Sequence, residues 1–64
     1  MLIQLTIPDM MCSACANTIS QAITEIDPQA KVEADPVTKL VKIESQTSEV
    51  DLRSAIVAAG YTLA

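Results

Sequence analysis

Apolar and polar residues alternate at the start of the chain, with Ile3, Leu5 and Ile7 set against Gln4 and Thr6. This two-residue period predicts a half-buried strand over Leu2–Ile7. Pro8, which has no N–H to offer a ladder, ends it. From Ser13 to Ile26 the period changes. Cys15, Ile19, Ala22, Ile23 and Ile26 fall mostly three or four apart and draw one stripe along a helix, which Asp27-Pro28 stops. Val32 and Ala34, then Val41 and Ile43, alternate on either side of the turn signal Asp35-Pro36-Val37-Thr38, the pattern of an antiparallel hairpin. Ser48 with Asp51 three residues on is a capping signal. Leu52, Ala55, Ile56 and Ala59 form a second helical stripe that ends at Gly60. Tyr61–Leu63 then reads as a last short strand.

The order is therefore strand, helix, strand, strand, helix, strand, a split βαβ arrangement. A helix over Ser13–Ile26 is about 21 Å long, close to the ~20 Å of a six-residue strand. Two helices of this kind can cover one face of a sheet. The expectation is an α+β, ferredoxin-like βαββαβ sandwich, a four-stranded antiparallel sheet with both helices on one face, filling residues 1–64 as a single domain.

Size and charge narrow the function. A chain of 64 residues buries only about 60% of the surface it exposes when unfolded and has no room for a deep substrate cavity, which counts against an enzyme. Eight acids against four bases give a net charge of −4. Lys31, Lys39, Lys42 and Arg53 form no basic run, and Tyr61 is the single aromatic residue, so nucleic acid is not the expected partner. The acids are spread out, as on a solvated surface. No apolar run approaches the ~20 residues of a membrane span and no leader-like segment opens the chain, so a cytoplasmic protein, not itself embedded in a membrane, is expected. Thiols there are mostly kept reduced, which favours metal binding or catalysis over a structural crosslink.

Cys12 and Cys15 are the only cysteines, and there is no histidine. Cys12 falls in the loop entering the first helix and Cys15 in its first turn, where unpaired N–H groups and the positive end of the helix dipole favour anions. Thiol pKa values at such places drop to between roughly 3.5 and 7.5. A ready thiolate suits metal ligation or redox exchange. Zinc prefers four ligands, so two thiols leave its site half empty unless Asp9, water or a second molecule contributes. A soft monovalent ion such as Cu(I) is satisfied by two thiolates. Such a site is open on its outer side, so an incoming thiolate can bind before an original one leaves, and transfer rather than storage is the natural task.

Met10-x-Cys12-x-x-Cys15 after a first strand, within this order of elements, resembles the heavy-metal-associated domain over essentially the whole chain. It is similar in particular to small bacterial copper metallochaperones and to the amino-terminal metal domains of copper-transporting P-type ATPases. The resemblance implies Cu(I) held by Cys12 and Cys15, with Met10 tucked beneath the loop as apolar support and not as a ligand. It implies delivery to the metal-binding domain of a copper-transporting P-type ATPase, and the open site by itself would let two copies share copper as a homodimer. Members often place a Tyr, His or Lys near the metal loop, the position of Tyr61. Met11 and Ser13 are candidate partner contacts. Some zinc-exporting relatives carry an acid directly before the first cysteine. Met11 stands there in this chain, which favours copper, with Zn(II) the weaker choice. Two readings compete with a free-standing chaperone: a regulatory metal domain of a pump, and a CxxC thiol oxidoreductase. A chain that begins at strand one and ends at strand four fits the chaperone better. Against the oxidoreductase stand its size and the lack of a Trp beside the motif.

Overall fold

The first alternation forms β1 (Leu2–Thr6), with Ile3 and Leu5 buried and Leu2, Gln4 and Thr6 exposed, in a computed structural model that describes residues 1–64. The hairpin follows as β2 (Lys31–Asp35) and β3 (Leu40–Glu44), and the sheet order is β1-β3-β2, antiparallel throughout. The register places Ile3 opposite Ile43 and Ile43 opposite Val32, then Leu5 opposite Val41 and Val41 opposite Ala34. One face of the sheet is therefore apolar. Rows on the other face set Lys42 opposite Glu33 and Glu44 opposite Lys31, cross-strand pairs of opposite charge.

Helices α1 (Ser13–Ile26) and α2 (Glu49–Ala58) cover the apolar face, contributing Ala16, Ile19 and Ile23 from one and Leu52 and Ile56 from the other. Each Ile or Leu buried in this way is worth about 1.5–3 kcal/mol relative to leaving it in water. The stripe on α1 is rotated slightly from the one its sequence predicts. Ala16 lies in the core, while Ile26, the last residue of the helix, is 46% exposed beside the groove between the helices. The helix ends at Asp27, whose carboxylate accepts hydrogen bonds from the Ser45 hydroxyl, the Thr47 hydroxyl and the Gln29 N–H. That network ties the end of α1 to the end of β3. It holds the Asp27 carboxyl below its ordinary range, with the Ser45 hydroxyl as the main cause.

The hairpin turn is organised by Asp35. Its Oδ1 accepts from the N–H groups of Val37 (2.9 Å) and Thr38 (3.4 Å), and its carbonyl accepts from Lys39 N–H at 2.8 Å. The chain leaves the turn through Lys39 in the left-handed region, φ 66°, the one such residue that is not glycine. At the start of α2 the Ser48 hydroxyl accepts from Asp51 N–H, and Glu49 and Asp51 place negative charge in the first turn. The end of α2 closes with Gly60 N–H bonded to Val57 O (3.0 Å) and Tyr61 N–H to Ile56 O (3.3 Å). This is a Schellman motif, and it needs the positive φ of 98° that Gly60 supplies.

Three strands form, not the expected four. The Tyr61–Leu63 segment runs beside β1 but makes a single rung, Ala64 N–H to Thr6 O at 3.0 Å. An antiparallel ladder in this register next sets Thr62 against Pro8, which has no N–H to give. That leaves the Thr62 carbonyl without its rung, and the Thr62 N–H, which the Pro8 carbonyl could accept, goes to the carboxylate of Asp9, 3.1 Å from both oxygens.

Candidate metal centre

The loop between β1 and α1 begins with a tight turn, Ile7-Pro8-Asp9-Met10, closed by Met10 N–H to Ile7 O at 3.1 Å. Proline in the second place presets the φ that such a turn uses. The Met10 side chain points inward and is fully buried in the core, so its thioether supports the loop from below. Met11 is 73% exposed, and Ser13 is also exposed, as partner contacts would have to be. Cys12 is the N-cap of α1, in extended conformation, and its carbonyl accepts from Ala16 N–H at 3.1 Å.

The two helix starts differ in a way that bears on the sulfurs. At α2 a serine side chain accepts from one of the free N–H groups, that of Asp51, and two acids lie in the first turn. At α1 there is neither a side-chain cap bond nor an acid in the first turn. The positive end of α1 is left to the thiols. Cys12 Sγ, exposed, and Cys15 Sγ, half-buried, lie 3.9 Å apart, and both cysteines are free. The Cys15 thiol is lowered from 9.0 to about 7, chiefly by the Tyr61 hydroxyl and next by the main chain of Met11. The same contact raises Tyr61, because a phenol that donates to a sulfur anion gives up its own proton less readily.

The structure thus brings together Cys12, Cys15 and Tyr61, with Met10 beneath them and Met11 and Ser13 on the rim. Asp9, considered as an added ligand for zinc, is committed to Thr62 N–H. Nowhere do three His, Cys, Asp or Glu side chains gather in a way that could hold a metal ion. One participant belongs to no motif of the sequence. Lys39, from the β2–β3 turn, donates its ammonium to Met10 O at 2.7 Å and lies 3.9 Å from Met11 Sδ. A lysine where the turn favours glycine or asparagine was the available signal.

A three-stranded sheet under two helices, with two free thiols at the start of the first helix, is the arrangement of a small metal-binding domain. The chain belongs to the heavy-metal-associated domain family, which matches residues 4–62. It is similar to the copper chaperone Atx1 from Synechocystis PCC6803 in a trimeric form, with 44% identity, a TM-score of 0.93, and 97% of this chain and 98% of that one covered. A gold-binding protein superposes with a TM-score of 0.90 at 37% identity, covering 94% of this chain and 92% of its own. The periplasmic component of a mercuric transport system of Pseudomonas aeruginosa is 34% identical over 62 residues, 92% of this chain and 68% of that protein. No helix of the chain is long and apolar enough to cross a membrane.

Proposed function

We propose that the protein is a cytoplasmic Cu(I) metallochaperone, in which Cys12 and Cys15 hold the ion as cargo and pass it by thiolate exchange to the metal-binding domain of a copper-transporting P-type ATPase. The observation that carries this reading is the sulfur pair itself, exposed on one side and joined by no third ligand. With metal–sulfur bonds of about 2.3 Å, sulfurs 3.9 Å apart subtend roughly 116° at a shared ion. That angle suits three-coordination, the state in which an acceptor's thiolate has joined and neither original has left. Widening the pair by under about 1 Å straightens the bridge toward the two-coordinate geometry that soft d¹⁰ ions accept. The incoming thiolate can equally belong to a second copy of the chain, giving a copper-bridged homodimer.

The likeness to a mercuric transport component supports a second cargo, Hg(II), which is also soft and satisfied by two thiolates. Zn(II) is disfavoured because Asp9 is engaged elsewhere. Anaerobic titration of the reduced protein with Cu(I), Hg(II) and Zn(II) against a chromogenic competitor tests the reading. One tightly held Cu(I) per chain, lost in the C12S/C15S double variant, is the expected result. Retention of Cu(I) affinity in that variant rejects it, and preference for Hg(II) over Cu(I) transfers the proposal to the second cargo.

A further inference from the structure

Surface lysines usually extend into water with a mobile head group, whereas Lys39 is half-buried and bonded through every polar group it has. Its N–H donates to Asp35 O (2.8 Å), its carbonyl accepts from Ile7 N–H (2.9 Å), and its ammonium donates to Met10 O (2.7 Å). Ile7 and Met10 are the two ends of the turn from which the cysteine loop grows, already joined to each other by Met10 N–H to Ile7 O. The main chain of Lys39 therefore grips one end of that turn and its side chain the other.

Conformation adds a second, independent observation. Lys39 occupies the left-handed region at φ 66°, where a residue with a Cβ is strained and glycine or asparagine is at ease. The turn itself gains nothing from a lysine here. What the lysine adds is the reach of its stem, which carries a charged donor from the hairpin to the Met10 carbonyl and places it beside the Met11 thioether. Met10 O belongs to the peptide that leads through Met11 into Cys12, so fixing this carbonyl fixes the approach of the chain to the extended N-cap that aims Cys12 toward Cys15.

We propose that Lys39 is a positioning residue for the metal loop. Its ammonium clamps the Ile7–Met10 turn, sets the path of Met11 and Cys12, and so slows the opening of the thiol pair and the escape of the ion it holds. The part concerning the ion rests on Cys12 and Cys15 being its ligands, as proposed above. The part concerning the loop does not.

Three variants separate the clamp from the fold. K39M keeps the stem and loses the donor, K39R keeps a donor, and K39G relieves the backbone strain while removing the side chain. Hydrogen exchange of Met10 N–H in the reduced, metal-free protein reads the turn directly, and Cu(I) loss to excess chelator reads the ion. Exchange at Met10 is expected to accelerate roughly tenfold or more in K39M and K39G, the lower range for losing a hydrogen bond to a charged donor. It should return to near the parent rate in K39R. K39G is expected to melt no lower than the parent, which makes a global loss of stability an inadequate explanation. Copper loss should accelerate in parallel. Met10 exchange within twofold of the parent in both K39M and K39G overturns the proposal, as does a loss that K39R leaves unrescued, since the ammonium would then not be the cause. Should the parent protein fail to bind Cu(I), the metallochaperone reading falls while the exchange data still decide the role of Lys39.

Discussion

The Tyr61 hydroxyl faces the Cys15 thiol, although the two residues come from opposite ends of the chain, and this contact is the largest influence bringing the thiol down to about 7. Its geometry is set by the glycine-closed end of α2, which delivers Tyr61 to the start of α1. One sulfur of the pair is thereby shifted toward its thiolate form, the form in which a cysteine ligates or attacks.

Replacing Tyr61 by Phe is expected to move the Cys15 titration upward, toward its ordinary value near 9. The measurement is the pH dependence of alkylation in a C12S background, where Cys15 is the only thiol. Because folding depresses this pKa, ionisation of Cys15 adds stability at and above pH 9, and that contribution fades as pH falls through 7. The denaturation midpoint of the reduced, metal-free protein should therefore rise between those values, and rise less in Y61F. An alkylation midpoint that is the same with and without the phenol hydroxyl would dismiss Tyr61 as the cause.

The neighbouring methionines should behave in opposite ways. Met10 is fully buried among Ile7, Ile19 and the rest of the core, so M10A is expected to cost about 2–5 kcal/mol of stability. It should leave the number of ions bound per chain unchanged. Met11 is exposed, so M11A should alter stability by less than about 0.5 kcal/mol while slowing transfer to an acceptor domain if it contacts the partner. Chemical denaturation alongside a stoichiometric titration distinguishes the two, and loss of the bound ion in M10A would make that thioether a ligand instead.

At the far end of the molecule, Asp27 is held below its ordinary 3.8 by the Ser45 hydroxyl and its neighbours. Its ionisation therefore contributes stability above that ordinary value, and the contribution disappears as pH falls through the lowered one. D27N should melt at a lower temperature at neutral pH and show a flatter dependence on acid. Thermal melts from neutral pH down to pH 2 check this, and superimposable curves for parent and variant would show that the network has no energetic weight.

What could be read in the sequence follows from the range over which each signal acts. Strand and helix periods are local, so β1, α1, the hairpin and α2 were legible almost to the residue. The cysteine pair stood out because no other thiol or imidazole competes with it. The fourth strand failed at Pro8, a residue whose missing N–H was visible but whose partner depended on a register set by the whole sheet. Asp9–Thr62, Lys39–Met10 and Asp27–Ser45 were likewise hidden. Lys39, Thr62, Asp27 and Ser45 carry no motif that marks these contacts, and only the folded chain brings each to its partner.

The thiol loop is held by Lys39 on one side and Thr62 on the other, residues far downstream of the cysteines. A loop fastened by its immediate neighbours could form in a chain that is only partly folded. This one requires the hairpin and the segment after α2 to be in place, so its order is tied to cooperative formation of the whole domain. During synthesis Cys12 and Cys15 leave the ribosome long before Thr62, and until then they are two unconstrained thiols on a nascent chain. The paired arrangement of the two sulfurs therefore exists only once the hairpin and the segment after α2 have closed on the loop.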